Sequence, residues 1–274
     1  MTIKIDYAFN VDGFYDSVNY YRSLTPMSPL SMPAPTATGI TGLTYSDTTA
    51  AADTNYFVRF GSVKNSIEKI SDEISVYSKN LTHYTAFFDL NSSLIDRKDG
   101  ASLALIEGVL AYENNGLKLN GASYVRREAT SAVHFSTSDF TVECEFKAAD
   151  VGSTAQDQVL INTYSQNVQP TWQLVLSASG EIYVWLYFGA AGSITLMQGS
   201  ANLLDGNLHK VKWTRQSGVS KLFVDNVEVA SAVDTSNYAL PQYLEIGAQT
   251  YRPIGQAYYF KGLIRNVGLA KQVI

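Results

Sequence analysis

The chain has 274 residues, enough for two ordinary domains or one large one, and 46% of them are apolar, which suits a packed core and excludes a disordered chain. Only 16% are charged, and 20 Lys and Arg against 25 Asp and Glu leave a net charge of −5, which disfavours nucleic-acid binding through a basic surface and a polybasic membrane anchor. One cysteine, Cys144, rules out an intramolecular disulfide and a multi-cysteine zinc site, while 18 Tyr, 12 Phe and 3 Trp favour strands.

From the N-terminus, Met1–Tyr7 carries charges where a leader would be apolar, so no signal peptide is expected. No apolar run approaches the roughly 18 residues of a membrane span, and no membrane insertion is expected. One clear strand precedes Val18. Pro26, Pro29, Pro33 and Pro35 then keep the following stretch out of any central strand. Ile67, Ile70 and Ile74 share helical spacing, but the Asn65–Ile74 segment is too short to stand as a helix. A composition break near Val76–Thr85 separates a small domain, residues 1–78, from a larger one, residues 84–274.

In the larger domain, alternation dominates. Val142, Cys144 and Phe146 alternate with Glu143, Glu145 and Lys147. Trp172–Ser177 turns at Ser179-Gly180 into a strand in which Ile182, Val184, Leu186 and Phe188 alternate with Tyr183, Trp185 and Tyr187. Gly189–Gly192 reads as a hairpin turn rather than a binding loop. Val211 and Trp213 alternate with Lys210 and Lys212, and Asp225-Asn226 marks a two-residue turn between Leu222–Val224 and Val227–Val229. Short strands with no βαβ rhythm predict an all-β fold of antiparallel sandwiches or a jelly roll.

Little chemistry is visible. His83, His134 and His209 lack the spacing of paired metal ligands, and neither a nucleophile elbow nor a phosphate loop occurs. Glu143 and Glu145 share one strand face about 7 Å apart, which would suit a glycosidase pair, but the expected reading is a solvated strand face. Cys144 shares its face with Val142 and Phe146 and reads as inert core.

Thr41–Thr49, followed by Asp53–Asn65, resembles strands E and F of a fibronectin type III domain, with Tyr56 where that family places the tyrosine whose hydroxyl pins the E–F corner. Val18–Ser23 resembles its C strand and Asp72–Tyr77 its G strand; the resemblance implies a small sandwich, shortened at its start. Residues 84–274 resemble the concanavalin A-like lectin/glucanase superfamily in its laminin G-like branch. The matching segments are Leu117–Val125, Asp139–Lys147, Asn207–Arg215, Lys221–Val229, Leu244–Gly247 and Phe260–Val267. The resemblance implies a larger jelly-roll sandwich. It also implies no required cofactor, although relatives hold Ca²⁺ on loop aspartates, here Asp150 and Asp157. Glycosidases of the superfamily use Glu-x-Asp-x-Glu, whereas this chain has Val142-Glu-Cys-Glu-Phe146, so no enzymatic activity is expected.

The resemblance to lectins turns attention to the aromatic stripe. If Ile182, Val184 and Leu186 fill the core, then Tyr183, Trp185 and Tyr187 form a ladder on which sugar rings would stack, bordered by Tyr164, Trp172, Tyr251 and Tyr258. The competing reading is that both faces of this strand are covered. A fibronectin-like piece joined to a lectin-like piece resembles bacteriophage tail or fibre-associated proteins. That resemblance implies a virion component that binds host-surface polysaccharide, docks on other tail proteins through its first domain, and assembles as a homo-oligomer, taken as a trimer. The alternatives are a polysaccharide-degrading hydrolase or lyase and a purely structural decoration.

Overall fold

The alternating segments fold as antiparallel strands in a computed structural model that describes residues 5–8, 13–164, 170–199, 201–249 and 258–274. The chain divides between Thr82 and His83 into two units. The first contains β1 (Ile5–Ala8), β2 (Ser17–Ser23), β3 (Ala37–Ile40), β4 (Thr44–Asp47), β5 (Thr54–Lys64), β6 (Ile67–Ile70) and β7 (Ile74–Ser78). β1 pairs with β4, and a second sheet runs β3-β2-β5, with β6 and β7 both paired to β5. Asn65 and Ser66 both adopt positive φ, 48° and 65°, which closes a tight β5–β6 hairpin of the kind whose twist matches its strands. The helically spaced Ile67, Ile70 and Ile74 therefore sit in two strands, because this turn reverses the chain before a helical turn can form.

Ile5, Tyr7, Tyr20, Ala50, Tyr56 and Val58 make the small core of this unit. It is unusually polar at its centre: the Tyr20 hydroxyl donates to the fully buried Asp47 at 2.9 Å, and Arg22 pairs with the same carboxylate. The Tyr56 hydroxyl accepts a hydrogen bond from the Ala51 amide at 2.9 Å, tying down the connection between β4 and β5.

The second unit begins with β8 (Ala86–Phe88), β9 (Ala104–Glu107), β10 (Ala111–Glu113), β11 (Gly116–Asn120) and β12 (Tyr124–Glu128). It continues through β13 (Phe140–Ala148), β14 (Gln158–Tyr164), β15 (Thr171–Leu176), β16 (Ile182–Tyr187) and β17 (Ser193–Gln198). β18 (His209–Gln216), β19 (Val219–Val224), β20 (Val227–Val233), β21 (Tyr243–Ile246) and β22 (Lys261–Ala270) complete it. One sheet has eight strands in the order β10-β11-β22-β13-β18-β19-β20, with β8 added alongside β22; the other has seven, β17-β16-β15-β14-β21-β12-β9. Asp225 and Asn226, at φ 50° and 68°, form the expected two-residue turn between β19 and β20. The short segment Gly189–Ala191 is a single 3₁₀ turn joining β16 to β17.

The two sheets share one core. Val142, Phe146, Trp213 and Leu222 of the eight-stranded sheet and Leu174, Val184, Leu186 and Ile246 of the seven-stranded sheet belong to the same buried cluster. Cys144 lies in that cluster, and burial pushes its thiol well above the usual range, as a protonated core residue requires. Arg215 is also enclosed, at 1% exposure. Its guanidinium donates to the carbonyl oxygens of Ser136, Ser138 and Ser236 and lies 4.9 Å from the ring centres of both Phe140 and Tyr238.

Candidate functional site

The seven-stranded sheet turns its second face away from the core, and β16 shows why. Ile182, Val184 and Leu186 are buried in the cluster, so Tyr183, Trp185 and Tyr187 point the other way and remain half-buried. The rings of Trp185 and Tyr187 lie nearly parallel, with centroids 5.8 Å apart and planes 10° from each other. Tyr183 is fixed at the end of the row, where its hydroxyl donates to Asp157 at 2.6 Å. Burial, and then the adjacent carboxylate, raise the Tyr183 phenol above its ordinary pKa, so it stays a donor. Tyr258 is half-buried and near enough to add to that shift.

Trp172 does not join this row. It is 2% exposed, and its ring packs against Phe135 and Trp213 at centroid distances of 5.9 and 5.3 Å. The register decides this: Trp172 pairs with Leu186, a core residue, while Thr171, Gln173 and Val175 pair with Tyr187, Trp185 and Tyr183. Because cross-strand partners share a face, Trp172 belongs to the interior and is withdrawn from the candidate site. Tyr251 lies outside the described residues. Tyr164 ends β14 opposite Tyr243.

Register also brings together a polar row that sequence reasoning missed. Trp185 pairs with Gln173, Gln173 with Asn162, Asn162 with Glu245, and Glu245 with Arg126, crossing five strands on the outward face. The Asn162 amide nitrogen donates to Glu245 at 2.7 Å, and Arg126 approaches the same carboxylate at 3.6 Å while lying 4.1 Å over the Tyr243 ring. Gln173, Asn162 and Glu245 are all buried. The available signal was a polar residue interrupting an apolar strand, as in Leu160-Ile161-Asn162 and Leu244-Glu245-Ile246.

The carboxylates singled out by sequence are occupied elsewhere. Glu143 is buried rather than solvated: the Tyr84 hydroxyl donates to it from outside β13, and Lys210 approaches at 3.2 Å. Glu145 pairs with Arg265 at 2.7 Å. Asp150 pairs with Lys261 at 2.8 Å, while Asp157 accepts from Tyr183 and from the Ala178 amide. Among the described residues, no three His, Cys, Asp or Glu side chains are gathered as a metal site, and no helix is long and apolar enough to cross a membrane. His209 is held between Asp225 at 2.8 Å and Asp205 at 2.9 Å. A concavity of about 570 Å³ lies on the outer side of the eight-stranded sheet, lined by Lys212, Thr214, Lys221 and Phe223. Its cations are already engaged, Lys212 with the Ile274 carbonyl and Lys221 with Glu228.

Residues 119–274, more than half of the chain, match a family model described as the concanavalin A-like lectin/glucanases superfamily. The chain belongs to that superfamily. No curated protein sequence is a significant match. Among solved structures, the chain is similar to domain 4 of AbnA, a GH43 extracellular arabinanase from Geobacillus stearothermophilus, in complex with arabinotriose. That similarity has a TM-score of 0.54 at 18% identity, over 69% of this chain and 93% of that one. It is also similar to the binding domain of botulinum neurotoxin serotype D, with a TM-score of 0.54 at 16% identity over 70% of this chain. The binding domain of botulinum neurotoxin DC in complex with SialylT gives a TM-score of 0.56 at 10% identity, again over 70% of this chain. The chain spans about half the length of these neurotoxin domains, 48% in each case. At such identities these likenesses establish the lectin-like sandwich and nothing finer.

Proposed function

We propose that this chain is a non-enzymatic carbohydrate-binding protein that contacts host-surface polysaccharide through the outward face of its seven-stranded sheet. The observation that carries the reading is the parallel, half-exposed pair Trp185–Tyr187, set beside the polar row that begins at Gln173. Flat ring faces take the C–H faces of a sugar, and neighbouring polar groups orient its hydroxyls. The solved relatives in complex with arabinotriose and SialylT support the same kind of ligand, though those ligands belong to those proteins. A hydrolase working through Glu143 and Glu145 is disfavoured, since both carboxylates are tied to neighbouring side chains and Glu143 is covered.

In this reading the first unit is a fibronectin III-like adaptor, supported by the bond between the Tyr56 hydroxyl and Ala51, and it docks the chain to a bacteriophage tail. Three copies on one particle would multiply a weak single-site affinity. The test is a glycan array followed by titration calorimetry. Trp185→Ala is expected to lower affinity at least tenfold with the fold intact by circular dichroism. Full retention of binding by this variant would refute the site, and an array without any bound glycan would refute the function.

A further inference from the structure

We infer that the concavity on the outer side of the eight-stranded sheet is a second saccharide site, separate from the Trp185 face, and that it takes sugars bearing a carboxylate. β18 and β19 form its floor. Val211, Trp213 and Leu222 belong to the core cluster, so alternation sends Lys212, Thr214, Lys221 and Phe223 to the other side of the sheet. Register sets these as two adjacent cross-strand pairs, Lys212 with Phe223 and Thr214 with Lys221. A bare sheet face would be flat, and residues 272–274 give this one a wall. The Thr141 hydroxyl donates to the Gln272 carbonyl at 2.9 Å and accepts from the Ile274 amide at 3.2 Å. Thr141 is the partner of Thr214 in the neighbouring strand, and Val273, held between those two bonds, lines the concavity. Its volume, about 570 Å³, falls within the range of small-ligand sites, about 300–1,000 Å³.

Three donors converge there. Thr214 is 4% exposed, yet among the described residues its hydroxyl makes no hydrogen bond, and its oxygen is not sealed from the concavity that the residue lines. A hydroxyl so nearly buried and without a partner needs an explanation. Lys212 and Lys221 flank it as diagonal neighbours, about 7–8 Å apart. Among the described residues, these two lysines are the charged groups in the wall; Glu228, the counter-group of Lys221, is not part of it. The Lys221–Glu228 pair is exposed on both sides, 47% and 41%, and such pairs are weak enough to yield to a better-placed anion. Lys212 uses one of its three protons on the Ile274 carbonyl and is steadied 5.1 Å from the Phe223 ring centre. A carboxylate placed over Thr214 accepts from the hydroxyl and from both ammonium groups. Phe223 and Val273 then meet C–H groups of the ring that carries it, and Gln216 meets that ring's hydroxyls. An acid group on a hydroxylated ring with apolar C–H edges is a uronic acid unit of an oligosaccharide.

The experiment titrates the full chain with oligomers of galacturonate, glucuronate, mannuronate and guluronate, each beside its carboxyl-reduced, neutral form. The wild type is expected to bind at least one uronate roughly tenfold more tightly than its reduced form. Joint Lys212→Gln and Lys221→Gln substitution should erase that margin. Thr214→Val, which keeps the volume and removes the hydroxyl, should weaken uronate binding roughly threefold to tenfold, and Trp185→Ala should leave it unchanged. Reduced forms bound as tightly as the uronates by the wild type, a comparison that needs no variant, would overturn the inference. So would undiminished uronate binding in the folded lysine or threonine variants, or its loss in Trp185→Ala, which would move the acid to the other sheet. Binding of no uronate would also overturn it, while the Trp185 face would still stand or fall by its own glycan array.

Discussion

Trp172 and Trp185 stand on neighbouring strands and face opposite ways, and stability separates them. Trp172 lies between Phe135 and Trp213 inside the core, so Trp172→Ala should cost about 3–5 kcal/mol in urea unfolding. Trp185 is half-buried on the outer face, and Trp185→Ala should cost less than about 1 kcal/mol. Equal losses would mean that the register of β15 and β16 is misread. His209 gives a prediction of another kind. Burial, the largest influence, pulls its pKa down, but hydrogen bonds and charge from Asp225 and Asp205 outweigh it and hold the imidazole above its ordinary value; the Phe146 ring lies 6.1 Å away. A pKa raised on folding means that the protonated form is stabilised in the native state. The contribution is complete below the unfolded value near 6.5 and disappears as pH rises through the folded value. Unfolding midpoints measured from pH 6 to pH 9 should therefore converge for wild type and His209→Gln toward the alkaline end. A gap that stays constant across the range would contradict this.

At the scale of the element, Gly262 is where β13 and β22 come too close for any other residue. Its φ is 150°, and a Cβ there would sit 2.2 Å from the Lys147 carbonyl oxygen. Neither partner can retreat, because both strands are central to the eight-stranded sheet. Gly262→Ala should cost about 2–4 kcal/mol, seen as a lower urea midpoint; a neutral result would place a bulge where the register now pairs Gly262 with Ala148. The elements that could be read from sequence are those written in short-range pattern: the alternation of β16 and the Asp225-Asn226 turn. What could not be read depends on register between distant segments. β15 is buried along its whole length, so no alternation marks which way Trp172 points. Asn162 and Glu245 are 83 residues apart, and Tyr84 covers Glu143 from 59 residues upstream. Each of these is fixed by strand order, which periodicity does not encode.

At the scale of the molecule, the family match and the folded unit do not coincide. The match begins at residue 119, while the second unit begins at His83. The intervening residues are built into the fold. β8 pairs with β22, while Phe88, Leu90 and Leu103 are members of the core cluster at 0%, 0% and 2% exposure. Asp96 and Asp99 receive both arms of the Arg127 guanidinium, and Tyr84 caps Glu143. Truncating one such core residue costs about 2–5 kcal/mol, and losing three together reaches the roughly 5–15 kcal/mol that holds a domain folded. Removal of residues 83–118 would in addition leave Glu143 and Arg127 without these partners, which penalises the truncated form further. A fragment of residues 83–274 should therefore melt cooperatively with a well-dispersed proton spectrum. The family-matched segment alone, residues 119–274, should express as an insoluble or molten species. If the shorter fragment melts at the same temperature as the longer one, residues 83–118 are an appendage, and the eight-stranded sheet closes without them.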